Sequence, residues 1–148
     1  MKNINYNYED LVDHHGITAV IKNSKEEILM QKHVKYGFWT LPVGKVKIGQ
    51  SVEEGLKEEI LEECNLNIEK FREIINKKYT YVRDEKKVIV DTHLFEILKY
   101  SGIMNNNEFK KHSRQEFLNL DKIKKLSYLS DTTLLYLKYL GFNREARI

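Results

Sequence analysis

The segment from Ser51 to Cys64 constrains this chain most, because it reads as a helix whose apolar side also carries three carboxylates. Ser51 is a natural N-cap, and Glu54 three residues later completes a capping box. No proline interrupts the run, and Asn65 suits the left-handed C′ position. At about 100° per residue, with Glu59 as origin, Glu63 falls about 40° to one side and Glu62 about 60° to the other. Val52, Gly55, Leu56, Ile60 and Leu66 share that half of the wheel. Glu54, Lys57 and Glu58 occupy the opposite half, where Leu61 is the lone apolar residue. Acidic groups are seldom buried unpaired, and like charges this close raise one another's pKa. Either the three glutamates border the apolar stripe and reach into water, or a cation sits among them. A hard ion such as Mg²⁺ or Mn²⁺ suits oxygen ligands, whereas zinc would call for clustered His or Cys.

Strand signals surround this helix. Ile17 to Ile21 is β-branched and apolar, Asn23-Ser24-Lys25 supplies a turn, and Glu27 to Gln31 reads as the hairpin partner. The aromatic segment Tyr36 to Pro42 ends at the only proline, and Gly44 to Gln50 reads as a loop. Ile74 to Val82 and Val88 to Leu98 predict two strands joined by the polar turn 83–87, and Asn105-Asn106-Asn107 an exposed loop. Leu120 to Leu126 and Asp131 to Leu140 predict helices. This order implies a mixed β-sheet sandwiched between helices, in the α/β (α+β) class.

A length of 148 residues fits one domain, 1–148, able to bury a core. The single cysteine, Cys64, excludes an internal disulfide and fits a reducing compartment. Met1 to Tyr8 lacks a secretory apolar stretch, and no run of about 18 apolar residues occurs, so the expectation is a cytoplasmic protein with no membrane partner. The net charge of +3 raises nucleic acid as a partner. The basic residues are interleaved with acidic ones without a periodic basic face, which favours a solvated surface.

Gly44 to Leu66 resembles the Nudix box. Gly44 stands at its first glycine, Glu59-Ile60-Leu61-Glu62-Glu63 matches its Glu-aliphatic-any-Glu-Glu core, and Leu66 closes it. Trp39-Thr40-Leu41-Pro42 resembles the usual entry, and Glu116 to Asp121 is similar to the family's late segment leading into a short helix. Three positions depart: Gln50 for the first Glu, Glu58 for the Arg, and Asn65 for the second Gly. The family's Glu and Arg pair, joining loop to helix; here both partners differ, and Gln50 and Glu58 retain only the option of a hydrogen bond.

The resemblance implies a metal-dependent hydrolase that opens the diphosphate linkage of a small-molecule nucleotide. Glu59, Glu62 and Glu63 are then the catalytic and metal-holding residues for Mg²⁺ (or Mn²⁺), with the Gly44 carbonyl as a further ligand. A general base comes from the box or from a later loop, where Glu108 and Glu116 are the candidates against a plain surface role. Lys45 and Lys47 are candidate phosphate contacts, and Trp39 either stacks on a base or belongs to the core, which its size favours. Adjacent His14 and His15 point to opposite faces of a strand, so they do not share a metal. Cys64 reads as structural. Rival readings are a Nudix-fold nucleotide-binding or regulatory protein without turnover, motivated by Gln50 and Glu58, and an RNA 5′-pyrophosphohydrolase, motivated by the basic balance.

Overall fold

The computed structural model describes residues 13–142. Seven strands and three helices follow one another as β1 (His14–Val20), β2 (Ile28–His33), β3 (Trp39–Thr40), β4 (Val43–Lys45), α1 (Val52–Cys64), β5 (Asn67–Arg83), β6 (Lys86–Ser101), β7 (His112–Leu118), α2 (Leu120–Lys125) and α3 (Asp131–Tyr139). The strands form two sheets, one ordered β4-β1-β6-β5 and the other β3-β2-β7. β1 runs parallel to β6, His14 opposite Val90 through Val20 opposite Glu96, and antiparallel to β4, with Ile17 opposite Gly44. This is the mixed sheet flanked by helices that the element order implies.

Alternation along the strands separates two cores. Ile17 and Ala19 of β1, with Phe95 and Ile97 of β6, pack against Leu56, Ile60 and Cys64 of α1. Val20 and Leu94, one residue out of phase and so on the opposite face, pack with Ile123 of α2 and Tyr136 and Leu137 of α3. Leu56 and Ile60 are fully buried. Leu56→Ala is expected to cost about 2–5 kcal/mol, the range for emptying a packed leucine site, measured as a shift in the urea midpoint at unchanged slope. At the far core, Ser130 caps α3, its hydroxyl donating to Thr40 Oγ1 at 2.8 Å, and Leu41 N donates to Thr133 Oγ1 at 3.0 Å.

Several elements differ from the sequence expectation. The 27–31 segment begins as the expected hairpin partner, with Leu29 N donating to Ile21 O at 2.9 Å, but β2 then leaves for the second sheet and pairs with β3 and β7. Gly44 lies in β4 rather than in a loop. β5 starts at Asn67, well before Ile74, and its turn to β6 is only Asp84-Glu85, both at positive φ (51° and 64°), as two-residue hairpin turns require. β7 is an additional strand. Among the described residues, no helix is long and apolar enough to cross a membrane.

Candidate active site

The acidic helix is held at both ends. Glu54 N donates to Ser51 Oγ at 3.1 Å and Ser51 N donates to Glu54 Oε1 at 2.8 Å, completing the capping box. The backbone hydrogen bond from Ser51 is the main reason the Glu54 carboxyl lies below its usual range. At the other end Asn65 adopts φ 63° and donates its N–H to Leu61 O. The carbonyls a helix leaves unpaired there are met from a distant loop: Asn105 N donates to Cys64 O at 2.9 Å and Asn107 N to Glu63 O at 3.2 Å. The asparagine run is thus a docked cap, and it leads Glu108 and Lys111 to the acidic face.

Glu59, Glu62 and Glu63 of α1 meet different surroundings. Glu59 lies against Gly44: a Cβ there would stand 2.5 Å from Glu59 Cγ and 2.6 Å from its Oε2, so only glycine leaves room. Glu63 is 1% exposed, and neither of its carboxylate oxygens has a hydrogen-bond partner. Burial pushes its pKa up to about 9; the Lys111 charge opposes this, and Glu59 and Glu108 reinforce it. Burial also raises Glu59; the facing Glu63 carboxyl and the Lys111 charge oppose this, and the Glu62 and Glu108 charges add to it. Glu62 remains solvent-accessible, 3.8 Å from Lys47 Nζ. Four acids and Lys111 therefore share one electrostatic field. An unpartnered carboxylate inside the fold is costly unless it keeps a proton or meets a cation. The donors are all oxygen, which suits a hard divalent ion, but among the described residues Glu59, Glu62 and Glu63 do not bring one carboxylate oxygen each within 4.8 Å of one another.

The departures at Gln50 and Glu58 are linked. Gln50 Nε2 donates to Glu58 Oε2 at 2.9 Å, Lys47 Nζ forms an ion pair with Glu58 Oε1, and Lys47 N donates to Gln50 Oε1 at 3.0 Å. The hydrogen bond to Glu58 is the main cause that raises the Lys47 pKa. Loop and helix are still joined, with reversed polarity: the acid stands on the helix and the cation in the loop. No local pattern assigns Lys47 this role, although it stands eleven residues before Glu58.

The remaining candidates divide. Glu108 Oε1 is buried without a hydrogen-bond partner, 3.8 Å from Lys111 Nζ, in the field of Glu59 and Glu63. Glu116 is instead held by Arg114 at 2.6 Å on β7. Trp39 is 9% exposed in the far core, with the Arg114 guanidinium 5.4 Å over its ring, so its surroundings are those of a core residue. Lys45 is exposed at the end of β4. Cys64 is buried, its thiol pushed well above the usual range by burial, and it accepts from Gln31 Nε2 at 3.6 Å. Lys111 and His112 join this region without any local sequence signal, Lys111 through its charge on Glu59 and Glu63. His112 is buried, and burial lowers its pKa to about 4, so its ring is neutral near pH 7.

A family model described as the NUDIX domain matches residues 12–136. Over 87 residues the chain is 28% identical to an oxidized purine nucleoside triphosphate hydrolase of Danio rerio, covering 59% of this chain and 53% of that protein. It is 38% identical over 52 residues to a putative 8-oxo-dGTP diphosphatase of Bacillus subtilis (strain 168), covering 35% of each. The chain thus spans about half or less of the length of these curated relatives. Among solved structures, the MutT NUDIX hydrolase from Burkholderia pseudomallei superposes with a TM-score of 0.71 at 23% identity, covering 84% of this chain and 95% of that one.

Proposed function

This chain belongs to the NUDIX domain family, and from that premise we propose that it is a divalent-metal-dependent hydrolase opening the phosphoric anhydride linkage of a small nucleotide, with 1–148 acting as one domain. The observation that carries the proposal is the Glu63 carboxylate, buried with both oxygens unpartnered beside Glu59 and Glu108. Glu59, Glu62 and Glu63 would hold Mg²⁺ or Mn²⁺. The Gly44 carbonyl, named with them from the sequence, is turned instead toward β1, because the ladder that carries Ala19 N to Pro42 O and Val46 N to His15 O makes Gly44 and Ile17 a hydrogen-bonded pair. When bound, such an ion neutralises phosphate charge and makes a coordinated water more acidic. In the reaction a water oxygen bonds to phosphorus, the bridging P–O bond breaks, and the water's proton leaves to a base.

The residues of the chain divide the remaining work. Glu108, on the loop docked at the end of α1, would receive that proton; its buried, unpartnered Oε1 supports this reading over Glu116, which is engaged by Arg114. Lys111 brings positive charge to the same field, where an anionic substrate needs it. The names of the curated relatives point to purine nucleoside triphosphates with an oxidised base as the first substrates to test. The test is a screen of normal and oxidised purine nucleoside di- and triphosphates with Mg²⁺ or Mn²⁺, read as released monophosphate, pyrophosphate and phosphate. Turnover that disappears with chelator supports the proposal; no product from any nucleotide with either metal would overturn it.

The Lys47–Glu58–Gln50 link favours turnover over binding alone, since the loop around residues 47–50 stays tied to the acidic helix despite both box departures. Lys47→Ala is expected to lower kcat/KM roughly 3- to 30-fold through misplacement of the loop, with the thermal midpoint nearly unchanged because the pair is exposed. Lys47→Arg should restore most of the loss. Equal activity in Lys47→Ala and the parent would show that the link has no part in positioning.

A further inference from the structure

We propose that His15, Asp91 and His93 form a second cation site, for a borderline transition ion such as Zn²⁺, on the four-stranded sheet. The strand register builds it. His15 on β1 pairs with Asp91 on the parallel strand β6, and Asp91 and His93 at i and i+2 share one face. His15 Nδ1 stands 2.9 Å from His93 Nε2 and 3.7 Å from Asp91 Oδ2, and His93 Nε2 lies 3.9 Å from that same oxygen. Among the described residues this is the group of three His, Cys, Asp or Glu side chains whose ligand atoms all lie within 4.8 Å of one another.

Supporting contacts aim these atoms. His93 Nδ1 is 2.8 Å from Glu73 Oε2 on β5, which draws the ring proton to Nδ1 and leaves the Nε2 lone pair facing His15. A carboxylate behind a ligating imidazole is the usual device for fixing its tautomer and orientation. Asn76 donates to Asp91 Oδ1 and to Thr92 O, leaving Oδ2 turned toward the two rings. Asp91 and His93 side chains are only 13% and 12% exposed, so they are held; His15 at 41% leaves a way in for an ion and its waters.

The donor set decides the ion. Two imidazole nitrogens and one carboxylate suit Zn²⁺, Co²⁺ or Ni²⁺, in contrast to the all-oxygen face of α1. With metal–nitrogen bonds of about 2.0–2.1 Å, a 2.9 Å separation of the two nitrogens subtends about 90° at the ion, a normal ligand angle for five or six coordination. An ion here links β1 to β6 beside the Gly44 strand, since Val46 N donates to His15 O at 2.9 Å and Lys45 pairs with Gly16. Because the three ligands come together only in the fold, binding stabilises the native state.

The test is calorimetric titration of the chelator-treated full chain with ZnCl₂ in excess Mg²⁺, repeated with Co²⁺ to read its visible d–d bands. One equivalent is expected to bind with ~micromolar affinity and raise the thermal midpoint by about 5 °C. His15→Ala and His93→Gln should each weaken binding by about 30-fold or more, Glu73→Gln by about tenfold, and Glu63→Gln not at all. His15 is exposed, so His15→Ala remains informative if His93→Gln fails to fold. The proposal is overturned if the parent takes up no Zn²⁺, if His15→Ala binds as the parent does, or if Glu63→Gln abolishes binding. The first two outcomes would leave the two histidines as a hydrogen-bonded pair only, and the third would move the ion to α1. None of these readouts depends on nucleotide turnover.

Discussion

Glu63→Gln is expected to reduce turnover by about a thousandfold or more while making the metal-free protein more stable. The two effects have one cause. The carboxyl is buried beside another acid, Glu59, so it keeps its proton in the metal-free fold and its ionised form is suited only to a cation. The amide keeps the shape and loses the charge, and several kcal/mol of phosphate neutralisation go with it. The pH dependence follows in sign from the raised pKa. Glu63 ionises near pH 9 in the folded chain against about 4.5 for the free side chain, so the folded state holds the proton more tightly. Its contribution to stability is fully present below about pH 4.5 and is lost as pH rises toward about 9. The amide of the variant does not titrate, so it loses nothing over that range. In chelator at pH 8 the variant should therefore melt roughly 5 °C above the parent, with the gap closing near pH 4. Parallel thermal scans at the two pH values, beside a turnover assay in Mg²⁺, check both halves. A variant that is active, or inactive and less stable, would make Glu63 a structural residue.

How much of this could be read in advance depended on where the determining contacts lie. α1 was legible because its signals are local: Ser51 and Glu54 cap one end, and Asn65 turns the other. The placement of Glu59 and Glu63 on its inward side follows from helical period alone. β7 was not legible, because its exposed Ser113 and Arg114 break the apolar pattern and pairing with β2 makes it a strand. The 67–73 part of β5 was missed for the same reason, since an edge strand with Glu69, Lys70, Arg72 and Glu73 exposed shows little hydrophobic alternation. The switch of β2 to the second sheet was hidden by a genuine local turn at Asn23. At the site, Lys47 could be seen but not aimed, and Lys111 reaches the acids only because residues 105–107 dock on the end of α1, some forty positions earlier in the chain. His15 and His93, 78 residues apart, meet through parallel pairing that no local pattern announces.

Gly44→Ala is expected to be the most damaging substitution for its size, and to damage activity rather than folding. β4 brings the Gly44 backbone onto the side chain of Glu59, and the added methyl would overlap Glu59 Cγ, Cδ and Oε2 at 2.5–2.6 Å. Contacts that short do not persist, so one partner must move. The backbone of β4 is fixed by its ladder with β1, Gly44 opposite Ile17, whereas Glu59 has rotatable bonds and a half-buried position. Glu59 therefore swings away, and its carboxylate no longer stands beside Glu63 as the proposed ion site requires. Loss of geometry on the scale of 1 Å at such a site costs on the order of a hundredfold in rate. Stability should fall by no more than about 1 kcal/mol, the cost of an altered rotamer at a partly exposed side chain. A second substitution separates this account from simple crowding: Glu59→Ala in the Gly44→Ala background removes the overlap, so it should recover any lost stability without restoring turnover. If Gly44→Ala instead unfolds the chain, or leaves kcat/KM near that of the parent, close approach of β4 to Glu59 is not what requires a glycine there.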